Sequence, residues 1–145
     1  MVDEQAFRSR LDDLDKAECP FAKALLGSQA ACSRARRYYL ADREGVECSD
    51  AVARMNCTTY FAEVRGVAGP RLGATAPTGA LPHGVAMKLQ VGGLRGLAEA
   101  LGEAEAGDVA ALVAMAISRE GGIDALPFEV ILEAVAAFEP RRRRG

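Results

Sequence analysis

Four cysteines, Cys19, Cys32, Cys48 and Cys57, fall within 39 residues, and the 88 residues that follow contain none. An even cysteine count reads as a disulfide framework in a small secreted protein. A chain of 145 residues that is 50% apolar can build one compact core without such staples. Its opening residues are acidic and lack the basic flank and apolar run of an export signal. The expectation is therefore a soluble, cytoplasmic, single-domain protein with reduced thiols. Four thiolates complete either a tetrahedral zinc site or an iron–sulfur cluster.

The spacings are C-x12-C, C-x15-C and C-x8-C. They contain none of the C-x2-C knuckles of zinc ribbons and ferredoxins. Zinc is usually held by close pairs on small turns, whereas widely spaced cysteines from several elements suit a bulkier cluster. An iron–sulfur cluster is thus the first expectation. Structural zinc, a redox dithiol and inert buried thiols are the alternatives.

The chain reads as helical throughout. Asp3 caps a first helix with Phe7, Leu11 and Leu14 on one face, ended near Glu18 by Cys19-Pro20. The spacing of Phe21, Leu25 and Cys32 predicts a second helix from Pro20 to about Asp42, with a weak point at Gly27-Ser28. Gly45 is its turn, and Ser49 or Asp50 caps a third helix to about Arg65 carrying Cys57, Tyr60, Phe61 and Val64. Residues 66–84 hold five Gly and three Pro and form a long irregular connection. Helices resume from Val85 to Leu101, after Asp108, and from Pro127 to Pro140. The expected fold is all-α: a small bundle built on an antiparallel helical hairpin. Residues 1–65 are its cysteine-bearing part, 85–139 its C-terminal helical layer and 140–145 its basic tail.

Geometry limits how the cysteines can meet. On one straight helix Cys19 and Cys32 would stand about 19 Å apart at ~1.5 Å per residue. Cys48 and Cys57 would face opposite sides of a helix. Cys19 and Cys48 are therefore expected on turns. Cys32 and Cys57, nearly equidistant from Gly45, are expected at one height on facing helices. Arg34, Arg36, Arg37 and Arg54, with Arg43 nearby, would offset thiolate charge or dock a partner. Cys19 precedes a helix start and Cys48 nearly does, so first-turn N–H groups are expected to lower their thiol pKa values.

Other signals are weaker. Residues 87–97 resemble a strand, a glycine turn and a helix, but Val91 stands where a dinucleotide fingerprint needs glycine. Gly92, Gly93 and Gly96 are better explained by close helix packing. His83, the single histidine, reads as a surface loop residue, with a fifth ligand or a cysteine's catalytic base as lesser readings. The net charge of −2 and the absence of Trp make nucleic acid an unlikely partner. No apolar run is long enough for a membrane span. Arg141–Arg144 reads as a solvated terminal run.

The function expected is an iron–sulfur protein, [4Fe–4S] in preference to [2Fe–2S]. Cys19, Cys32, Cys48 and Cys57 would be its ligands, and it would transfer or sense electrons with a redox partner protein. With all four positions filled by protein, no iron stays open for a substrate, so an electron carrier or sensor is expected rather than an enzyme. A homo-oligomer is compatible with the sequence. The rival reading is an interaction or adaptor protein with a structural four-cysteine zinc site or merely buried thiols.

Overall fold

A computed structural model describes residues 4–6, 8, 9 and 17–140. Residues 4–6, 8 and 9 are helical, within the expected first helix, whereas its apolar positions Phe7, Leu11 and Leu14 and the Arg141–Arg144 tail lie outside the described residues.

The all-α expectation fails at the second helix. Helix makes up 59% of the structure, and a two-stranded antiparallel sheet stands where the helical hairpin was expected. Helix α1 is only Ala22–Leu26, and it stops at Gly27, the weak point of the sequence. Strand β1, Ala35–Leu40, then pairs with β2, Arg43–Cys48, in a register that sets Ala35 opposite Cys48 and Leu40 opposite Arg43. The alternation of side chains decides the matter: Tyr38 is buried while neighbouring Tyr39 is 73% exposed. Tyr38 and Val46 lie on opposite faces of the hairpin, Tyr38 over Gly45 and Val46 toward the small cluster with Ala22 and Leu25.

The hairpin turn is Ala41-Asp42, with Ala41 in the left-handed region at φ 55°. It lacks the Asn-Gly or Asp-Gly signature of such turns. Gly45 is not a turn residue. It lies within β2 because the Tyr38 ring covers it, and a Cβ there would stand 2.3 Å from that ring. On the other edge of β2, Glu18 bridges Glu47 and the Cys19 N–H donates to Val46 O at 2.9 Å.

The remaining helices form the body. Helix α2, Ala51–Ala68, starts as expected at Asp50, whose carboxylate accepts the N–H groups of Val52 and Ala53. It runs past Gly66 and ends in a 3₁₀ turn, Gly69–Leu72. The expected irregular connection is thereby shortened to residues 73–82. Buried Arg65 holds that stretch, donating to Ala76 O and Gly79 O at 3.2 and 3.0 Å.

Helix α3, His83–Met87, continues through a π-helical turn, Lys88–Gly92, into α4, Gly93–Ala100. Helix α5, Val109–Glu120, is capped by Asp108 and closed by Gly121 at φ 82°. Helix α6, Phe128–Ala137, follows Pro127. The core joins α2, the α3–α4 run, α5 and α6 through residues such as Tyr60, Val64, Leu94, Leu97, Val113 and Ile131. Among the described residues no helix is long and apolar enough to cross a membrane.

Close packing accounts for the glycines of α4 and the π turn. A Cβ on Gly92 would stand 2.5 Å from Val135 Cα, and one on Gly96 would stand 2.7 Å from Ile131 Cα. Backbone atoms cannot swing aside as a side chain does. Gly92→Ala should therefore lower the unfolding free energy by about 1–3 kcal/mol through overpacking. Gly66→Ala, with nothing within 4 Å of the added carbon, should raise it by about 0.5–1 kcal/mol. Urea denaturation checks both, and equal effects of the two substitutions would contradict the packing account.

Candidate metal centre

The four cysteines arrive from four different segments. Cys19 sits just before α1, as expected of a turn residue. Cys32 lies in the loop between α1 and β1, so it is not helix-borne, because the helix expected to carry it ends at Leu26. Cys48 is the last residue of β2, and its thiol donates to Asp50 O at 3.2 Å. Cys57 alone is on a helix, two turns into α2, and is buried.

Backbone pairing draws three of these segments together. The N–H of Cys19 bonds Val46 O, and Val46 and Cys48 share one face of β2. Cys48 stands opposite Ala35, whose N–H donates to Cys32 O at 3.2 Å. Cys19 and Cys32 both pack at the seam between the small cluster of Ala22, Leu25 and Val46 and the main core that contains Cys57. The thiols feel one another: Cys57 is perturbed by Cys19, Cys32 and Cys48, and Cys19 by Cys32 and Cys48. Among the described residues, no three His, Cys, Asp or Glu side chains are gathered as ligands of a single ion.

Burial decides the chemistry of the two most enclosed thiols. It pushes Cys19 up to about 11, although the Phe21 N–H works the other way and Cys32 and Cys48 add repulsion. It pushes Cys57 up to about 12, reinforced by repulsion from the other three thiols and from Asp108. The expected lowering of Cys19 at a helix start is thus overturned. A five-residue helix offers little dipole, and the loss of water outweighs one N–H donor.

Asp108 is the residue that sequence reasoning missed. The sequence marks it only as the cap of α5, and it does accept the Ala111 N–H at 3.1 Å. The same carboxylate also accepts the Ser33 N–H and a hydrogen bond from the Cys32 thiol. Partial burial alone would raise its pKa, but these bonds hold it below the ordinary value. Val109 N–H donates to Ala31 O at 3.0 Å, so the whole Cys32 loop is tied to the start of α5. No local signal links positions 75 residues apart, and only the fold places them together.

The arginines divide by role. Arg34 pairs with Asp50 at 3.7 Å, and Arg54 donates to Glu18 O at 3.4 Å, so both flank the thiols. Arg37 holds Leu25 O at 3.1 Å and Glu44 at 3.6 Å, and Arg43 lies 3.9 Å from Glu18. Arg36 is exposed opposite Glu47. His83 is exposed at the start of α3 and lines a separate cleft with Lys23 and Arg95. No protein-family model, curated protein or solved structure matches this chain.

The raised thiols make the metal-free fold sensitive to alkali. In the unfolded chain they ionise near 9, whereas folded Cys19 and Cys57 hold their protons to about 11 and 12. Stability is therefore fully present below pH 9 and falls as pH rises through the window from 9 to 12. Urea unfolding of the metal-free protein between about pH 8 and pH 10.5 should show this decline, with a shallower slope for Cys57→Ala. A flat profile would contradict the burial assigned to these thiols.

Proposed function

We propose that Cys19, Cys32, Cys48 and Cys57 ligate one iron–sulfur cluster and that the protein carries or senses electrons. The observation that supports this most is that Cys19 and Cys32 pack at the seam between the β-hairpin lobe and the helical body that contains Cys57, and that Cys19, Cys32 and Cys48 all act electrostatically on Cys57.

Spacing favours a cluster over zinc. A lone zinc ion needs each sulfur about 2.3 Å from a common point and is usually held by close-spaced pairs on small turns, whereas these four cysteines are separated by 12, 15 and 8 residues. When bound, such a cluster supplies one-electron chemistry at a potential set by its burial and by hydrogen bonds to sulfur.

The chain's own part is to hold and insulate the ligands. Phe21 and Tyr60 share the core cluster of Cys57, with Phe21 6.3 Å from Tyr60 and edge-on to Phe61 at 5.7 Å. Asp108 steadies the Cys32 loop, and Arg34 and Arg54 supply positive charge at the rim. A raised thiol is also a poor nucleophile at neutral pH, which counts against a dithiol exchange role for Cys19 and Cys57. Loading the site must release those protons.

Anaerobic reconstitution tests the proposal. The expected product is brown, with broad visible absorption and about four iron and four sulfide per chain. Cys57→Ala should lose most of both. A colourless protein with one zinc would move the site to a structural role. A metal-free protein that stays folded and takes up no iron would reduce the four thiols to core residues.

A further inference from the structure

We propose that a cleft between α1, the start of α3 and the end of α6 binds an organic phosphate monoester, a phosphate dianion carried on a flat apolar group. The cleft encloses about 840 Å³ and lies apart from the four cysteines. That size is within the range of small-molecule sites. Its floor is apolar, made by Leu26, Met87 and the ring of Phe138, and its charged rim is Lys23, His83 and Arg95.

Charge is the first argument. Residues 85–140 hold nine acidic side chains and three basic ones, yet this cleft gathers Arg95 with Lys23 and His83 against the single carboxylate of Glu139. None of the three cationic or titratable groups has a carboxylate within ion-pair distance among the described residues. A dianion suits such a rim better than a monoanion does. The neighbouring cleft, beyond Gln29 and Arg95, is lined by Glu99, Glu103 and Glu105 and would repel the same ligand.

Preorganisation is the second. Arg95 donates to Gln29 Oε1 at 3.1 Å, and its guanidinium carbon lies 5.0 Å from the centre of the Phe138 ring. Lys88, in the π turn, donates to Phe138 O at 2.7 Å and to Ala136 O at 3.1 Å, so the aromatic wall is fixed from behind. Buried Gln90, also in that turn, accepts the Ala24 N–H at 3.0 Å and fixes the opposite wall. A π turn often marks a functional position, and here it carries both anchors. Walls already held in place lose little entropy on binding.

Phenyl phosphate serves as the probe, titrated into ¹⁵N-labelled full-length protein and followed by amide shifts. Saturable shifts are expected at Lys23, Gly27, His83, Met87 and Arg95. Inorganic phosphate and benzyl alcohol, each lacking half of the ligand, should bind about tenfold or more weakly. Arg95→Met, which removes the guanidinium over Phe138, and Lys23→Gln on the opposite wall should each weaken binding about tenfold, and Lys23→Gln should do so with thermal unfolding unchanged. The proposal is overturned if both variants bind as tightly as the parent. Shifts that scatter over the hairpin arginines, or that match for inorganic phosphate, would also sink it.

Discussion

Strand β2 is paired on both edges, and the rest of the cysteine-bearing lobe follows from that. One edge takes β1 through the register of Ala35 with Cys48, and the other takes Glu18 and the N–H of Cys19. Hydrogen bonding of an otherwise open edge is a strong local demand, because exposed strand edges are both unsatisfied and prone to wrong pairing. Meeting it brings Cys19, Cys32 and Cys48 to one end of the hairpin. The lobe's own buried cluster is only Ala22, Leu25 and Val46. So small a core leaves the lobe dependent on the helical body, and Cys19 and Cys32 sit at the seam between them.

That seam explains why burial and function pull in opposite directions at this site. An apolar seam excludes water, which favours protonated thiols and a folded metal-free chain at neutral pH. Thiolate ligands are favoured only when a positive centre replaces the lost water. Cys19 and Cys57 are thus costly to ionise in the metal-free chain. The Asp108 carboxylate places a negative charge next to Cys32 and accepts a hydrogen bond from its thiol.

The body is built on other terms. Gly92 and Gly96 let α4 lie backbone to backbone against α6, and Tyr60 donates its hydroxyl to Gly93 O at 2.7 Å from across the core. The extra residue of the π turn frees Lys88 and Gln90 for contacts outside their own helix. One closes the end of α6 and the other the start of α1. Both are polar residues in a mostly apolar stretch, and each satisfies backbone groups that short helices leave open.

Where a cap, a stop or a steric need is local, the chain itself was informative. Asp50 and Asp108 as caps, Gly121 as a stop and the packing role of Gly92 and Gly96 were all legible, since each depends on neighbours a few residues away or on the absence of a side chain. The hairpin was not, because Phe21, Leu25 and Cys32 fit a helical period and Ala41-Asp42 carries no turn signature. The thiol set was named from count alone, while the placement of Cys32 on a helix was wrong. Its loop is held by Asp108, 76 positions further along the chain.

Sequence by itself thus determined which residues could serve as ligands, since four thiols in a short stretch are a matter of composition and spacing. Tertiary structure decided that Cys19 and Cys32 pack where the hairpin lobe meets the helical body that contains Cys57, and that Asp108 holds the Cys32 loop. Those relations depend on strand pairing and on contacts between distant segments, whose free energy is realised only once the backbone has closed, and periodicity within a single segment carries no trace of it.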